Sequence, residues 1–453
     1  MLVVQNSKMS YFLTQHLKKK NFLNLLLYFS TLLVIPPYPT GPLLPDLFLS
    51  LSVIIFIIIS IRNNLKRFYF NKISLFFFVF FIYIISNSFF SLYPKVSLLS
   101  SVFYFRFYIF ALAISYLLSI EDNFKNTLYL VLKITITFVL IDTIYQYFAG
   151  TDFFNFEKQL HRLSGPFREE LIVGSFISKV LPVLISLEFF IRKKISLSLL
   201  GILFLSVITT FLSGERVSFF NIFLFSLIFL IFYQTKNKSK FVISSIFIIL
   251  IPILVTLSFD KSRSDRMIKY PICAMNIDFF NFFNCAEKNV VWGGNKYEKT
   301  YQSSRIVIFS KAHEGHFRSA LKMFYDDPIF GKGIKMFRYH CSDPKFANEN
   351  SCTSHPHNTL IQFLAELGFV GLIFLLIGIF GIYKVFFKLI FSKKTYQANN
   401  NQLSYILITF SIIQIFFIFL PSGQFFNNYL SILYYLPLGI FLNLNYNYHN
   451  NDK

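Results

Sequence analysis

The sequence predicts an all-α membrane protein of about twelve transmembrane helices, with one large polar loop between spans 9 and 10. Three observations carry this reading. Apolar runs of about 18 residues or more recur along the chain, and each can cross ~30 Å of hydrocarbon as a helix, which satisfies its own backbone there. The chain is 55% hydrophobic and only 14% charged, too little charge for a water-facing surface over 453 residues. Lysine and arginine concentrate in alternate short connections, the pattern that sets orientation in a bilayer. The 63 phenylalanines are spread through the runs, and no site is read from aromatic density alone.

The expected spans fall near 22–37, 44–61, 72–92, 97–119, 125–148, 170–191, 195–213, 217–233, 240–259, 358–387, 403–420 and 427–443. Lys18-Lys19-Lys20 precedes the first span without a small-residue cleavage site, so that span is expected to be retained. Arg62, Lys66, Arg67 and Lys72 lie between spans 2 and 3, and Arg192-Lys193-Lys194 between 6 and 7. Lys236, Lys238 and Lys240 lie between 8 and 9, and Lys388, Lys393 and Lys394 near the 10–11 turn. The alternate connections 38–43 and 421–426 carry no basic residue, and 93–96 carries only Lys95. This alternation puts both termini in the cytoplasm, in agreement with an even number of spans. The net charge of +21 is then an orientation signal, and nucleic acid is not an expected partner.

Three regions follow: 1–259 with spans 1–9, a polar extracytoplasmic insertion at 260–357, and 358–453 with spans 10–12. Long loops of this kind are usually functional. All four cysteines, Cys273, Cys285, Cys341 and Cys352, fall inside the insertion. An even number in one exported segment suggests two disulfides. Of three connectivities, the simplest is Cys273–Cys285 with Cys341–Cys352. A metal site is the other reading, but C-x-x-C spacing is missing and no metal is expected. Residues 303–326 have helical periodicity, with Ile306, Phe309, Phe317, Ala320, Leu321 and Phe324 able to share a face. Pro328 and Gly331-Lys332-Gly333 end that helix, which is expected to lie across the outer mouth of the bundle.

The residues suited to chemistry gather at the outer ends of the spans. In His355-Pro356-His357-Asn358, Asn358 is a good N-cap for span 10, so His357 sits at a helix N-terminus. The positive end of the helix disfavours imidazolium and attracts anions, which suits a neutral histidine able to accept a proton. The competing reading is a histidine that only hydrogen-bonds at the interface. A zinc pair from His355 and His357 lacks a third ligand close in sequence. Arg216, in Ser213-Gly214-Glu215-Arg216, can fork onto phosphate oxygens, or else pair with Glu215 or anchor at the interface. Arg318 projects from the insertion helix near His316 and Lys322, as an anion ligand or as part of a solvated face. Arg162 and Arg168 flank Ser164-Gly165-Pro166-Phe167 and add outer charge against the orientation trend, which points to an anionic ligand. Within the spans, Arg106, Lys133, Asp142, Lys179 and Glu366 are expected to face the bundle interior, with Arg106 and Asp142 as one matched pair.

His357-Asn358, nine residues and then Gly368-Phe369-Val370-Gly371 resembles the signature of the bacterial O-antigen ligase and O-antigen polymerase superfamily. Other blocks are similar to that family: RLSGPF from Arg162 to Phe167, the SGER ending at Arg216, and Phe317-Arg318 through Asp327-Pro328-Ile329-Phe330-Gly331-Lys332-Gly333. The tail from Phe419 to Asn428, and the twelve-span layout, fit as well. The resemblance implies an inverting, metal-independent glycosyltransferase without a cofactor, on the periplasmic face of the inner membrane. It would move a glycan from undecaprenyl diphosphate to an acceptor hydroxyl on lipid A–core. By that resemblance His357 is catalytic and Arg216 and Arg318 hold the diphosphate, with His355, Asn358, Arg162 and Arg168 in support. Membrane lipids and a glycan acceptor are the implied partners. A polymerase and a protein O-oligosaccharyltransferase share these motifs. The family's arginine often follows a small residue; here Glu215 precedes it, which leaves open whether Arg216 is free or partly neutralised. A transporter is the rival from another class, but one lopsided insertion is unlike the paired repeats of transporters. There is no P-loop and no convincing G-x-G-x-x-G, so no nucleotide site is expected.

Overall fold

The computed structural model describes residues 22–159, 162–233, 260–269, 272–273, 289–292, 295–298, 311–391 and 400–451. These are almost wholly helical, apart from a short antiparallel pair, Asn289–Trp292 with Asn295–Glu298, inside the insertion. Helices form over eleven of the twelve expected spans; the remaining one, 240–259, lies outside the described residues. They are α1 (Phe22–Leu32), α2 (Leu43–Arg62), α3 (Lys72–Phe89), the broken pair α4 (Pro94–Ser101) and α5 (Phe105–Ile120), α6 (Phe124–Ala149), α7 (Val173–Arg192), α8 (Leu197–Leu212) and α9 (Arg216–Phe232). The insertion contributes α10 (Lys311–Asp326), and α11 (Thr359–Phe391), α12 (Asn400–Ile413) and α13 (Asn428–Asn451) complete the chain. Among the described residues six helices are long and apolar enough to cross a membrane, counting Pro94–Ile120 as one, and four shorter helices are apolar.

Helix α7 is the centre of the bundle. It is buried on all sides, with α6, α8, α9 and α12 packed around it. Polar glue replaces the hydrophobic effect between such helices. Ser186 of α7 donates to the Ser404 carbonyl of α12 at 2.8 Å, and Ser404 returns the bond to the Ser186 carbonyl at 2.8 Å. On the other flank α13 lies against α5, and a side chain at Gly439 would meet Ile114 and the Ala111 carbonyl. Large apolar side chains such as Leu47, Ile54, Phe78, Ile82 and Phe380 stand exposed around the outside, as a lipid-facing surface requires.

The connections expected on the outer side meet at one end of the bundle. Tyr38 stacks on Tyr429 at 3.9 Å and packs on Phe167 and Phe176. Arg263 and Arg266 of the insertion donate to the carbonyls of Leu212 and Gly214. Asn87, at the end of α3, donates to the Phe330 carbonyl at 2.7 Å.

The insertion is fixed to this end by a break in α11. A 33-residue helix is about 50 Å long, well beyond a ~30 Å hydrocarbon core. It is interrupted at Gly368, whose backbone (φ 61°, ψ −159°) lies in a region open essentially only to glycine. Lys332 and Gly333 donate from the insertion to the carbonyls of Ala365 and Glu366 at 3.0 and 2.8 Å. Phe369 and Val370 donate back to the carbonyls of Pro328 and Ile329 at 2.8 and 3.3 Å. A Cβ at Gly331 would lie 2.6 Å from the Gly368 nitrogen, and one at Gly368 2.4 Å from the Ile329 oxygen. The two glycine blocks are therefore the two halves of one backbone joint. Residues 369–391 alone make about 35 Å of apolar helix, enough to span ~30 Å of hydrocarbon.

The ion pair of Arg106 differs from expectation. Arg106 pairs with Asp46 of α2 at 2.6 Å, not with Asp142. Asp142 instead accepts the Phe153 amide at 2.8 Å, because the 150–158 loop folds back over the end of α6. Lys133 turns to the edge of the bundle, where it donates to Ser198.

Candidate active site

Three segments build the site: the start of α11, helix α10 and the loop before α13. Asn358 caps α11 as expected, its Oδ1 accepting the Ile361 amide at 3.0 Å. Its amide group also donates to the Ile418 carbonyl at 2.7 Å. His357 has a left-handed backbone, φ 58°, uncommon for a residue other than glycine. The Ser422 amide donates to its carbonyl at 2.9 Å and helps hold it there. Thr359 and Ser422 share a hydroxyl bond at 2.8 Å, and the Phe425 amide donates to Gln362 at 3.0 Å.

Helix α10 brings two further histidines. Its buried face is Gly315, His316, Ser319, Ala320, Met323 and Phe324, with Phe317 and Leu321 half-buried at the margin. Of the expected face, Ala320 and Phe324 are buried, while Phe317 and Leu321 sit at its margin because the buried stripe extends toward His316; Ile306 and Phe309 lie outside the described residues. Gly315 is required because a Cβ there would lie 2.3 Å from the Glu349 carbonyl oxygen. The His313 and His316 rings sit 5.3 and 5.5 Å from His357, and His355 sits 4.1 Å from it. Four imidazoles therefore surround one point at the insertion end. The sequence signal that finds them is the i, i+3 spacing of His313 and His316 on an amphipathic helix.

Burial holds these rings neutral. Desolvation, with the neighbouring imidazoles adding to it, depresses His357 to about 3; burial also depresses His313 and His355 to about 4. His355 is further fixed by Ser354 at its Nδ1 and the Ser422 carbonyl at its Nε2. An unfolded histidine titrates near 6.5. Since the folded values are lower, the folded chain resists protonation that the unfolded chain accepts. The histidines' contribution to stability is full above about pH 6.5 and falls as pH drops toward the folded values. The thermal unfolding midpoint of purified protein is expected to fall steeply from pH 6.5 to 4, and less steeply in His357→Asn. A flat profile contradicts the neutral cluster.

The question posed by Glu215 is answered by its partners. Its two carboxylate oxygens accept the Gly174 and Ser175 amides at 2.7 and 3.0 Å, and the Ser218 hydroxyl at 3.1 Å. Glu215 thus closes the first turn of α7 from outside, where an anion is favoured. Arg162 and Lys179 lie in its field. Arg216, the first residue of α9, makes no hydrogen bond or ion pair among the described residues and is half-buried near His313. Removing the carboxylate strands three donors beside two cations. Glu215→Ala is expected to cost about 3 kcal/mol, read as a lower unfolding midpoint, with Glu215→Gln milder. Equal stability of Glu215→Ala and the parent contradicts this role.

The other predicted residues are placed as follows. Arg162 donates to the Leu171 carbonyl at 2.8 Å, beside Glu215. Arg168 is exposed, with φ 60°. Arg318 is 53% exposed on the outer face of α10 and pairs with Glu314 at 2.9 Å, about 200° around the helix from His316. Cys341–Cys352 is formed, with Cα atoms 5.1 Å apart, and closes the chain just before the histidines. Cys273 is also disulfide-bonded; Cys285 lies outside the described residues. Among the described residues no three His, Cys, Asp or Glu side chains are arranged to hold a metal ion.

Bundle and site together define a multi-pass helical membrane protein with a cationic, imidazole-rich site at one end. Residues 201–376 match the family model described as O-antigen ligase, a match that supports the superfamily of membrane glycosyltransferases that includes ligases and polymerases. The match runs from α8 through the insertion to the middle of α11, and so covers Arg216, His357 and both sides of the glycine joint. A comparison with curated proteins finds no match.

Proposed function

We propose that the protein transfers a glycan from undecaprenyl diphosphate to a hydroxyl of lipid A–core, with inversion, on the periplasmic face of the inner membrane. The observation that carries this reading is a neutral His357 packed on His313, with Arg216, unpaired among the described residues, close to that same His313 at one end of a membrane bundle. Arg216, at the N-terminus of α9, binds the donor diphosphate. Arg162 adds positive potential behind it, and Arg318 reaches the diphosphate if its bond to Glu314 opens. His357 accepts the acceptor hydroxyl proton as the acceptor oxygen bonds to the anomeric carbon. The bond from that carbon to diphosphate breaks in the same step, and undecaprenyl diphosphate leaves with the electron pair. The leaving group gains negative charge, which the prepositioned guanidinium stabilises.

A base depressed to about 3 is too weak by itself. A bound diphosphate raises it, because an anion nearby favours the charged imidazolium. Donor binding therefore strengthens the base. Asn358 and His355 hold the His357 loop and touch no substrate in this scheme.

The test is lipopolysaccharide profiling of a deletion strain carrying wild type or His357→Ala. Loss of long glycan on lipid A–core, with polymer accumulating on the carrier, is the expected result. Accumulation of single-repeat chains instead favours a polymerase. An unchanged profile removes the catalytic role.

A further inference from the structure

His357 has a second group of cations near it, which the donor reading does not use. Arg338 donates to Gln424 Oε1 at 3.3 Å, and Gln424 sits in the same loop as Ser422, which holds His355 and His357. Gln424 is only 5% exposed, and its Nε2 donor has no partner. Lys335 lies one turn away with a left-handed backbone, φ 61°. Its ammonium makes no hydrogen bond or ion pair among the described residues. Burial, with Arg338 and Arg106 close by, pushes Lys335 below the ordinary lysine range, and Glu366 and Asp46 only partly offset this.

Two carboxylates lie nearby, and one of them is matched. Asp46 is held by Arg106 at 2.6 Å, and Glu366 accepts from Gln362 at 2.9 Å and from the Phe337 amide at 3.3 Å. Lys335 and Arg338 thus share one carboxylate, Glu366, and a positive charge and the buried unpaired Gln424 amide are left over. Such an arrangement is costly unless an anion completes it. Its place is informative too. Arg216 acts on the cluster at His313 and Arg338 at His355, two different neighbours of His357. Inversion needs the acceptor to approach from the side away from the leaving diphosphate.

We propose that Lys335, Arg338 and Gln424, with Arg106 alongside, form a second anion site that takes a phosphate of the acceptor glycolipid. This rests on the ligase reading for the identity of the acceptor. Binding alone is involved. Lys335 and Arg338 supply charge, and Gln424 Nε2 supplies an aimed donor.

The experiment uses full-length protein in nanodiscs of neutral phosphatidylcholine. Three probes are titrated: lipid A with its phosphates, the same lipid A after phosphatase treatment, and undecaprenyl diphosphate. Wild type is expected to bind phosphorylated lipid A about tenfold or more tighter than the treated form. Lys335→Asn with Arg338→Gln should erase that preference and leave undecaprenyl diphosphate binding unchanged; asparagine tolerates the backbone at 335. Arg338→Lys alone should keep most of the preference. The proposal is overturned if the double variant keeps the preference, or loses undecaprenyl diphosphate equally. It is also overturned if phosphatidylglycerol in the disc abolishes the wild-type preference, which would mark a site for ordinary headgroups. Arg216→Ala that leaves undecaprenyl diphosphate binding intact would sink the donor reading alone, and the lipid A result would still stand.

Discussion

Replacing His357 by asparagine is expected to lower glycan transfer by about 10²–10⁴-fold, the usual contribution of a positioned base. Asparagine is the informative variant. The backbone at 357 has φ 58°, which asparagine adopts readily and alanine less so. Its amide cannot take the proton. Fold and donor binding should survive, with the loss confined to turnover. His355→Asn should behave differently. It removes the ring that packs at 4.1 Å on His357 and bonds the Ser422 carbonyl, so a smaller loss of rate with a shifted pH profile is expected. Full activity in His357→Asn, measured with reconstituted protein and a lipid-linked glycan, rejects the base.

The second large effect lies some ten residues further along α11. Gly368→Ala is expected to lower transfer about 100-fold or more. The backbone there is one that L-residues avoid, and the new Cβ would lie 2.4 Å from the Ile329 carbonyl oxygen. Neither strand of the joint can yield without losing its four crossing hydrogen bonds, made by Lys332, Gly333, Phe369 and Val370. Helix α10, which carries His313 and His316, is connected to the joint through Pro328, so a small shift there displaces two of the four imidazoles. A misplacement of about 1 Å is enough to cost about 100-fold. Gly331→Ala should match it, since it strikes the opposite side of the same contact. Either variant with parental transfer rates would show that the joint does not position the site.

Much of this was readable in the residues. Apolar length and the basic connections gave the bundle, because in a bilayer these are nearly the whole of the physics. The Asn358 cap and the Cys341–Cys352 bridge followed from local chemistry, and both are formed. Other features depend on contacts far apart in the chain. Arg106 finds Asp46 across 60 residues, and no local pattern favours that over Asp142. Glu215 looked like a partner for its neighbour Arg216, yet its geometry commits it to the start of α7, 40 residues earlier. The glycines of Gly331-Lys332-Gly333 read as a helix stop; that they dock on a break at Gly368 needs the fold. Arg318 reads from sequence as an anion ligand or part of a solvated face, and its exposed pair with Glu314 is a matter of helix phase.

Transfer by this scheme requires one juxtaposition, a lipid diphosphate held by Arg216 beside His357. The most direct measurement is a density map of the full-length protein in a lipid disc with undecaprenyl diphosphate bound. The diphosphate is expected against the Arg216 guanidinium at the start of α9, with the His357 ring facing the oxygen that bears the glycan. A diphosphate at the opposite end of the bundle, or one on this end held by other cations and facing away from His357, would contradict it.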